Sequence, residues 1–170
     1  VIPELGFEEN ETAKAIADRL TAAGLEVETG IGKTGLVGVL KGAKPGPTLM
    51  IRADIDGLPV DELTGLDFAS TNGRMHACGH DGHITMAVVA AEILAGLKDQ
   101  LAGTLIFVFQ PAEEIVMGAL AMIDDGLFEK YPADRVIGTH LWNQIPTGTI
   151  GVNRATVFAS ADQFRLTVHG

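Results

Sequence analysis

The run Leu105-Ile106-Phe107-Val108-Phe109 is apolar at every position and leads directly into Gln110-Pro111-Ala112-Glu113-Glu114. A strand without polar alternation fits inside a sheet that is covered on both faces. Further β-rich runs stand at residues 36–40, 48–52 and 135–141, with a turn-forming Gly/Pro stretch at 42–47 between the first two. Ala13, Ile16, Ala17 and Leu20 recur at helical spacing and predict an amphipathic helix over 8–23, stopped by Gly24. A second helix is expected over 84–97. Its only polar residues, Thr85 and Glu92, share a face, so most of it should be buried. Short strands are expected at 149–152 and 156–159, and a longer one at 163–169. This alternation of strands and helices predicts an α/β sandwich with a mixed or largely parallel sheet.

Composition narrows the function classes. With 170 residues, 46% hydrophobic and 20% charged, the chain has the profile of a globular domain large enough for a proper core. A formal net charge of -10 argues against nucleic acid, whose phosphates it would repel. The single cysteine leaves no internal disulfide framework, which favours a reducing, cytoplasmic setting. Neither a signal-peptide pattern nor an apolar run long enough to span a membrane is present, so no membrane partner is expected.

Chemistry concentrates in Met75-His76-Ala77-Cys78-Gly79-His80-Asp81-Gly82-His83. In extended backbone, residues two apart project to the same side, which would bring His76, Cys78 and His80 together. Thiolate and imidazole suit zinc and neighbouring transition metals. Cys78 and His80 form the best ligand pair, while His76 and His83 are read as packing or hydrogen-bonding around the site. The competing readings are a buried free cysteine and a Cys78 nucleophile with His80 as base. The first ranks lower because three histidines and the cysteine fall within eight residues, the second because catalytic partners usually meet through the fold rather than as sequence neighbours.

Acidic groups follow the strands. Asp54 and Asp56 come after the 48–52 run, Glu113 and Glu114 after 105–109, and His140 lies within the run over 135–141. In a parallel sheet, functional groups gather at the carboxyl ends of strands, so all of these can face one rim. If Glu113 and Glu114 lie in extended backbone they point oppositely, which would let one bind metal while the other addresses a bound water. Asp54 and Asp56 either ligate metal or orient the imidazoles, with an Asp-rich turn paired to Arg52 as the alternative. Two glycine patterns are set aside. Gly30-Ile31-Gly32-Lys33-Thr34-Gly35 has dinucleotide-loop spacing, but a β-like run follows where a helix is required, and the Walker pattern lacks its first glycine at Val27. No G-x-S-x-G element supports a serine hydrolase.

Taken together, these motifs resemble the M20 metallopeptidase superfamily, in its amidohydrolase branch of hippurate, N-acyl-amino-acid and auxin-conjugate hydrolases. The segments that carry the resemblance are 3–9, 52–59, 75–83, 110–114, 118–122 and 139–143. The resemblance implies a three-layer α/β/α zinc-peptidase-like catalytic domain, incomplete at its C-terminal side. It also implies two divalent metal ions, drawn from Zn2+, Mn2+, Co2+ or Ni2+. Cys78, His80, Glu114 and His140 would be ligands and Glu113 the general base, with Asp54, Asp56, His76 and Asp81 standing around them. The implied reaction is hydrolysis of a small N-acyl amino acid by a metal-activated water. The alternative is a non-catalytic metal-binding or structural fragment of such an enzyme.

Family members are longer. On that basis residues 1–170 would be the N-terminal portion of the catalytic domain. The inserted dimerisation domain, which would make the parent a homodimer, and the C-terminal catalytic segment would lie outside it. Their histidines would be missing, and His169, on the polar face of its expected strand, does not replace them. The isolated chain is therefore expected to be weakly active at most.

Overall fold

The computed structural model describes residues 2–152, 156–158 and 164–169. Its centre is the strand β4 (Ala102–Gln110), which contains the uniformly apolar run. To one side lies β2 (Gly35–Lys41), antiparallel to β4, and beyond it β1 (Glu26–Ile31), antiparallel to β2. To the other side lie β3 (Lys44–Asp54) and then β5 (Arg135–Gly138), both parallel to β4. The sheet order is therefore β1-β2-β4-β3-β5, a mixed sheet whose parallel half carries the acidic strand ends.

Alternation along β4 explains its two-sided burial. Phe107 and Phe109 point into one core with Ala13, Ile16 and Leu20 of α1 (Asn10–Ala22) and Ala87, Val88 and Ala91 of α2 (His80–Gly96). Ile106 and Val108 point into a second core with Met122 of α3 (Gly118–Asp124) and Leu127 of α4 (Leu127–Lys130). Helices thus cover both faces, giving the expected three layers. Each large side chain removed from water in this way stabilises the fold by roughly 1.5–3 kcal/mol.

Several expectations need correction. β3 begins at Lys44, so part of the Gly/Pro stretch lies inside a strand. A register irregularity between Lys44 and Thr48 accommodates Pro45 and Pro47, which have no amide to donate. α2 is not mostly buried, because a helix on one face of a sheet buries only a stripe, and Met86, Val89 and Ile93 remain exposed. β5 ends at Gly138 rather than at 141. Residues 149–152, 156–158 and 164–169 form no strand; Ala159 and Gln163, the remaining ends of the expected strands, lie outside the described residues. Phe164, Leu166 and Val168 alternate as a strand would, yet each is more than 80% exposed, with no sheet to bury against. His169 therefore has no strand face to occupy. Among the described residues no helix is long and apolar enough to cross a membrane.

Candidate metal centre

β3, β4 and β5 run in the same direction, so their carboxyl ends share one rim. The register pairs Asp54 with Gln110 and Arg52 with Gly138. The chain leaves β3 toward α2 and leaves β4 toward α3, on opposite faces of the sheet. A crevice opens where adjacent connections diverge in this way, and the chemical residues stand there.

His80 occupies the middle. It is the first residue of α2, and Gly79 before it holds a left-handed conformation (φ 83°). Ala77 and Cys78 form a turn closed by the Gly79 amide donating to the His76 carbonyl at 3.1 Å. The cluster therefore converges through a tight turn into a helix, not through extended backbone. The turn sets His76 as a hydrogen-bonding neighbour, its Nδ1 on the Asp56 carbonyl at 3.1 Å. The Nδ1 of His80 reaches the same carbonyl at 2.9 Å. Because Nδ1 carries the proton for that bond, Nε2 presents its lone pair to the crevice.

Four carboxylates surround this imidazole. Asp54 Oδ2, Glu113 Oε2 and Glu114 Oε1 lie 3.6, 3.7 and 3.8 Å from His80 Nε2, and Asp56 Oδ1 lies 3.3 Å from its Nδ1. Glu113 and Glu114 sit in a turn, not in extended backbone, so both approach His80 instead of pointing oppositely. Cys78, His80 and Glu114 offer ligand atoms within 4.8 Å of one another. His140 joins them with Nε2 3.5 Å from Cys78 Sγ, while its Nδ1 bonds the Leu141 carbonyl at 2.6 Å. Among the described residues, two buried side-chain polar atoms have no hydrogen-bond partner, His80 Nε2 and Asp56 Oδ1. A buried lone pair turned toward the carboxylate oxygens of Glu113 and Glu114, with Asp56 Oδ1 left unpaired beside the same ring, is costly unless a cation lies among them. The donor set of thiol, imidazoles and carboxylates therefore fits a divalent transition metal.

The protonation behaviour agrees. Burial opposes charge on His80, yet the Asp56, Asp54 and Glu114 carboxylates outweigh it and raise its pKa. Burial, with Glu113, Asp56 and Asp54 against the pull of His80, raises that of Glu114. Burial and the same carboxylates push the Cys78 thiol up to about 11. At neutral pH it stays a thiol unless a cation offsets the surrounding negative charge, which counts against a free thiolate nucleophile.

Asp54 answers the salt-bridge alternative and the positioning reading together. Its Oδ2 pairs with Arg52 at 2.7 Å, and its Oδ1 accepts from His83 Nδ1 at 2.6 Å. Arg52 is itself aimed by Gln110 Oε1, at 2.8 Å from its Nε. Asp56 Oδ2 accepts the Glu114 amide at 3.0 Å and so fixes the acidic turn. Asp81 is exposed in the first turn of α2, where its carboxylate takes the Gly82 amide.

The acidic turn is bent at both ends, since Ala112 (φ 48°) and Val116 (φ 57°) adopt left-handed conformations that cost about 1–3 kcal/mol each. Its exit is equally tight, because a Cβ at Gly118 would stand 1.5 Å from the Pro111 carbonyl oxygen. One participant went unseen in the site readings. Glu9 is fully buried, and its Oε1 accepts the Ala112 amide at 2.8 Å. Its only sequence signal is its place in the 3–9 segment.

An α/β fold with an acid-, imidazole- and thiol-lined crevice at the ends of its parallel strands defines a metallohydrolase architecture. The chain belongs to peptidase family M20/M25/M40, whose profile matches residues 50–165. It is 45% identical to the hippurate hydrolase of Campylobacter jejuni and 42% identical to the N-acetylcysteine deacetylase of Bacillus subtilis, each over 99% of this chain and 44% of the relative. The structure superposes on the YXEP protein of Bacillus subtilis, a dinuclear metal binding peptidase from the M20 family. The TM-score is 0.84 at 42% identity, over 89% of this chain and 42% of that one. The chain thus spans less than half the length of these relatives.

Proposed function

We propose that the protein hydrolyses the amide bond of small N-acyl amino acids, with Cys78, His80, Glu114 and His140 holding divalent metal and Glu113 acting as general base. The observation that carries this reading is the buried, unpartnered His80 Nε2 facing Glu113 and Glu114. When bound, a divalent ion lowers the pKa of water to about 7 and polarises a carbonyl oxygen. The side chain of Glu114 is 19% exposed and that of Glu113 is 40% exposed, so Glu114 suits ligation and Glu113 faces the space where substrate arrives. Glu113 takes the proton of the attacking water and delivers it to the departing amine, leaving a carboxylic acid and a free amino acid. Trp142 and Phe158, exposed and within 6 Å of the His140 ring, offer an apolar surface for the acyl group. The names of the two relatives support the N-acyl amino acid class.

The test is metal content per chain by elemental analysis, together with hydrolysis of N-benzoylglycine and N-acetylcysteine. Metal should be present and should fall in both Cys78→Ala and Glu114→Ala. Glu113→Gln should retain metal and lose hydrolysis by about 100-fold or more. Failure to bind zinc or manganese when supplied would overturn the reading, as would a fully active Glu113→Gln. Bound metal with no measurable turnover would make this chain the non-catalytic metal-binding portion of such an enzyme, in line with the weak activity expected of it alone.

A further inference from the structure

We infer that Glu9 is the positioning residue of the Glu113–Glu114 turn, acting from the far side of Ala112; this rests on the reading of that turn as base and ligand. The turn needs an external hold. Ala112 leaves β4 in a left-handed conformation that an L side chain rarely adopts, and it is fully buried. Pro111 before it has no amide to donate. The Ala112 amide is therefore the first main-chain donor available between the strand and Glu113.

That donor goes to a carboxylate. Glu9 Oε1 accepts it at 2.8 Å, and Glu9 Oε2 accepts the Thr34 hydroxyl at 2.5 Å. Both oxygens are thus engaged, and the side chain is fully buried. Contact reinforces the bond, because a Cβ at Gly6 would stand 3.0 Å from both Cα and Cβ of Ala112. The Gly30–Gly35 segment takes part in this hold, since its Thr34 orients the carboxylate that sets the turn. The link spans from residue 9 to residue 112, so the N-terminal segment acts as a brace for the acidic turn.

Glu9→Gln keeps an oxygen for the Ala112 amide and an amide group for Thr34, whereas Glu9→Leu removes both. Three readouts separate positioning from general stability. Cobalt(II) affinity, followed by visible absorption, should fall about 10-fold or more in Glu9→Leu and change little in Glu9→Gln. Thr34→Val, which leaves the Ala112 bond in place, should give a smaller loss in the same direction. The core variant Ile16→Val should lower thermal stability without changing cobalt affinity. The amide resonances of Ala112, Glu113 and Glu114 should shift, and the Ala112 amide lose protection from exchange, in Glu9→Leu but not in Glu9→Gln. This last readout needs no metal. A wild-type chain that binds no cobalt would therefore sink the metal reading while still deciding the role of Glu9. Unchanged Glu113 and Glu114 resonances in folded Glu9→Leu would overturn the inference. Should Glu9→Leu fail to fold, unshifted resonances in Thr34→Val together with shifted ones in Glu9→Gln would overturn it equally.

Discussion

His83 and Asp54, both buried, are joined by a 2.6 Å hydrogen bond from Nδ1 to Oδ1, and the bond fixes the tautomer of the imidazole. The Leu141 amide donates to His83 Nε2 at 2.8 Å, so the ring proton must sit on Nδ1 and point at Asp54. The pair straps the segment after β5, which carries His140, to the end of β3. Replacing His83 by Leu would leave a buried carboxylate oxygen and a main-chain amide unsatisfied. The expected loss is about 2–3 kcal/mol, or a fall in Tm of roughly 4–12 °C for a chain of this length. Thermal unfolding followed by circular dichroism checks it; an unchanged Tm would mean that the strap contributes nothing to stability.

The same strap makes stability depend on acid. Burial alone would raise the Asp54 pKa, but the His83 bond, Arg52 and His80 reverse this and hold it at about 2. A depressed carboxyl favours the fold while it is ionised. Its contribution of about 2 kcal/mol is complete above pH 4 and disappears as pH falls from about 4 through 2. The stability difference between wild type and Asp54→Asn, measured by urea unfolding, should therefore shrink by that amount between pH 5 and pH 2. A difference that stays constant would show that Asp54 does not carry the effect.

How much of this was legible beforehand depended on whether neighbours or the residue itself decided the outcome. The 105–109 run announced β4, because a strand buried on both faces needs apolar side chains throughout. The rim of Asp54, Asp56, Glu113, Glu114 and His140 followed from strand direction alone. β1 was missed because Glu26–Ile31 buries only Ile31 and is held by main-chain pairing to β2, which leaves little apolar pattern. α3 was missed because a seven-residue helix opening on Gly118 shows no amphipathic repeat, and tertiary packing dictates it. The residues at 164–168 fooled the pattern in the opposite way, since alternation describes a strand only where a sheet edge receives it. Glu9 was out of reach, because its partner Ala112 carries no side-chain signal and the contact is main-chain.

Cys78 provides a test by reactivity. A thiol held near 11 is almost wholly protonated at neutral pH. In metal-free protein its alkylation by iodoacetamide should be slow and should rise about tenfold per pH unit from 7 to 10, because only the thiolate reacts. Metal binding must displace this proton, so zinc affinity should strengthen as pH rises through the same range. Calorimetry in buffers of different ionisation enthalpy counts the protons released. An alkylation rate that levels off near pH 7 would instead restore the cysteine-nucleophile alternative.

Two glycines separate the acidic turn's needs from general helix propensity. At Gly118 an added Cβ would meet the Pro111 carbonyl oxygen at 1.5 Å, a contact with rigid backbone that only movement of α3 can relieve. At Gly96, the last residue of α2, a Cβ meets nothing within 4 Å and the backbone is not left-handed. Gly96→Ala should therefore stabilise the protein by about 0.5–1 kcal/mol through helix propensity and a less flexible unfolded chain. Gly118→Ala should cost about 1–3 kcal/mol through overpacking. The displaced helix would also pull on Met117 and Gly118, whose amides donate to the Ala112 carbonyl at 3.2 and 3.1 Å, and so on the turn that presents Glu113 and Glu114. Metal affinity should then fall in Gly118→Ala and remain unchanged in Gly96→Ala, as measured by cobalt titration of both variants. Equal affinities would show that the turn keeps its shape independently of α3.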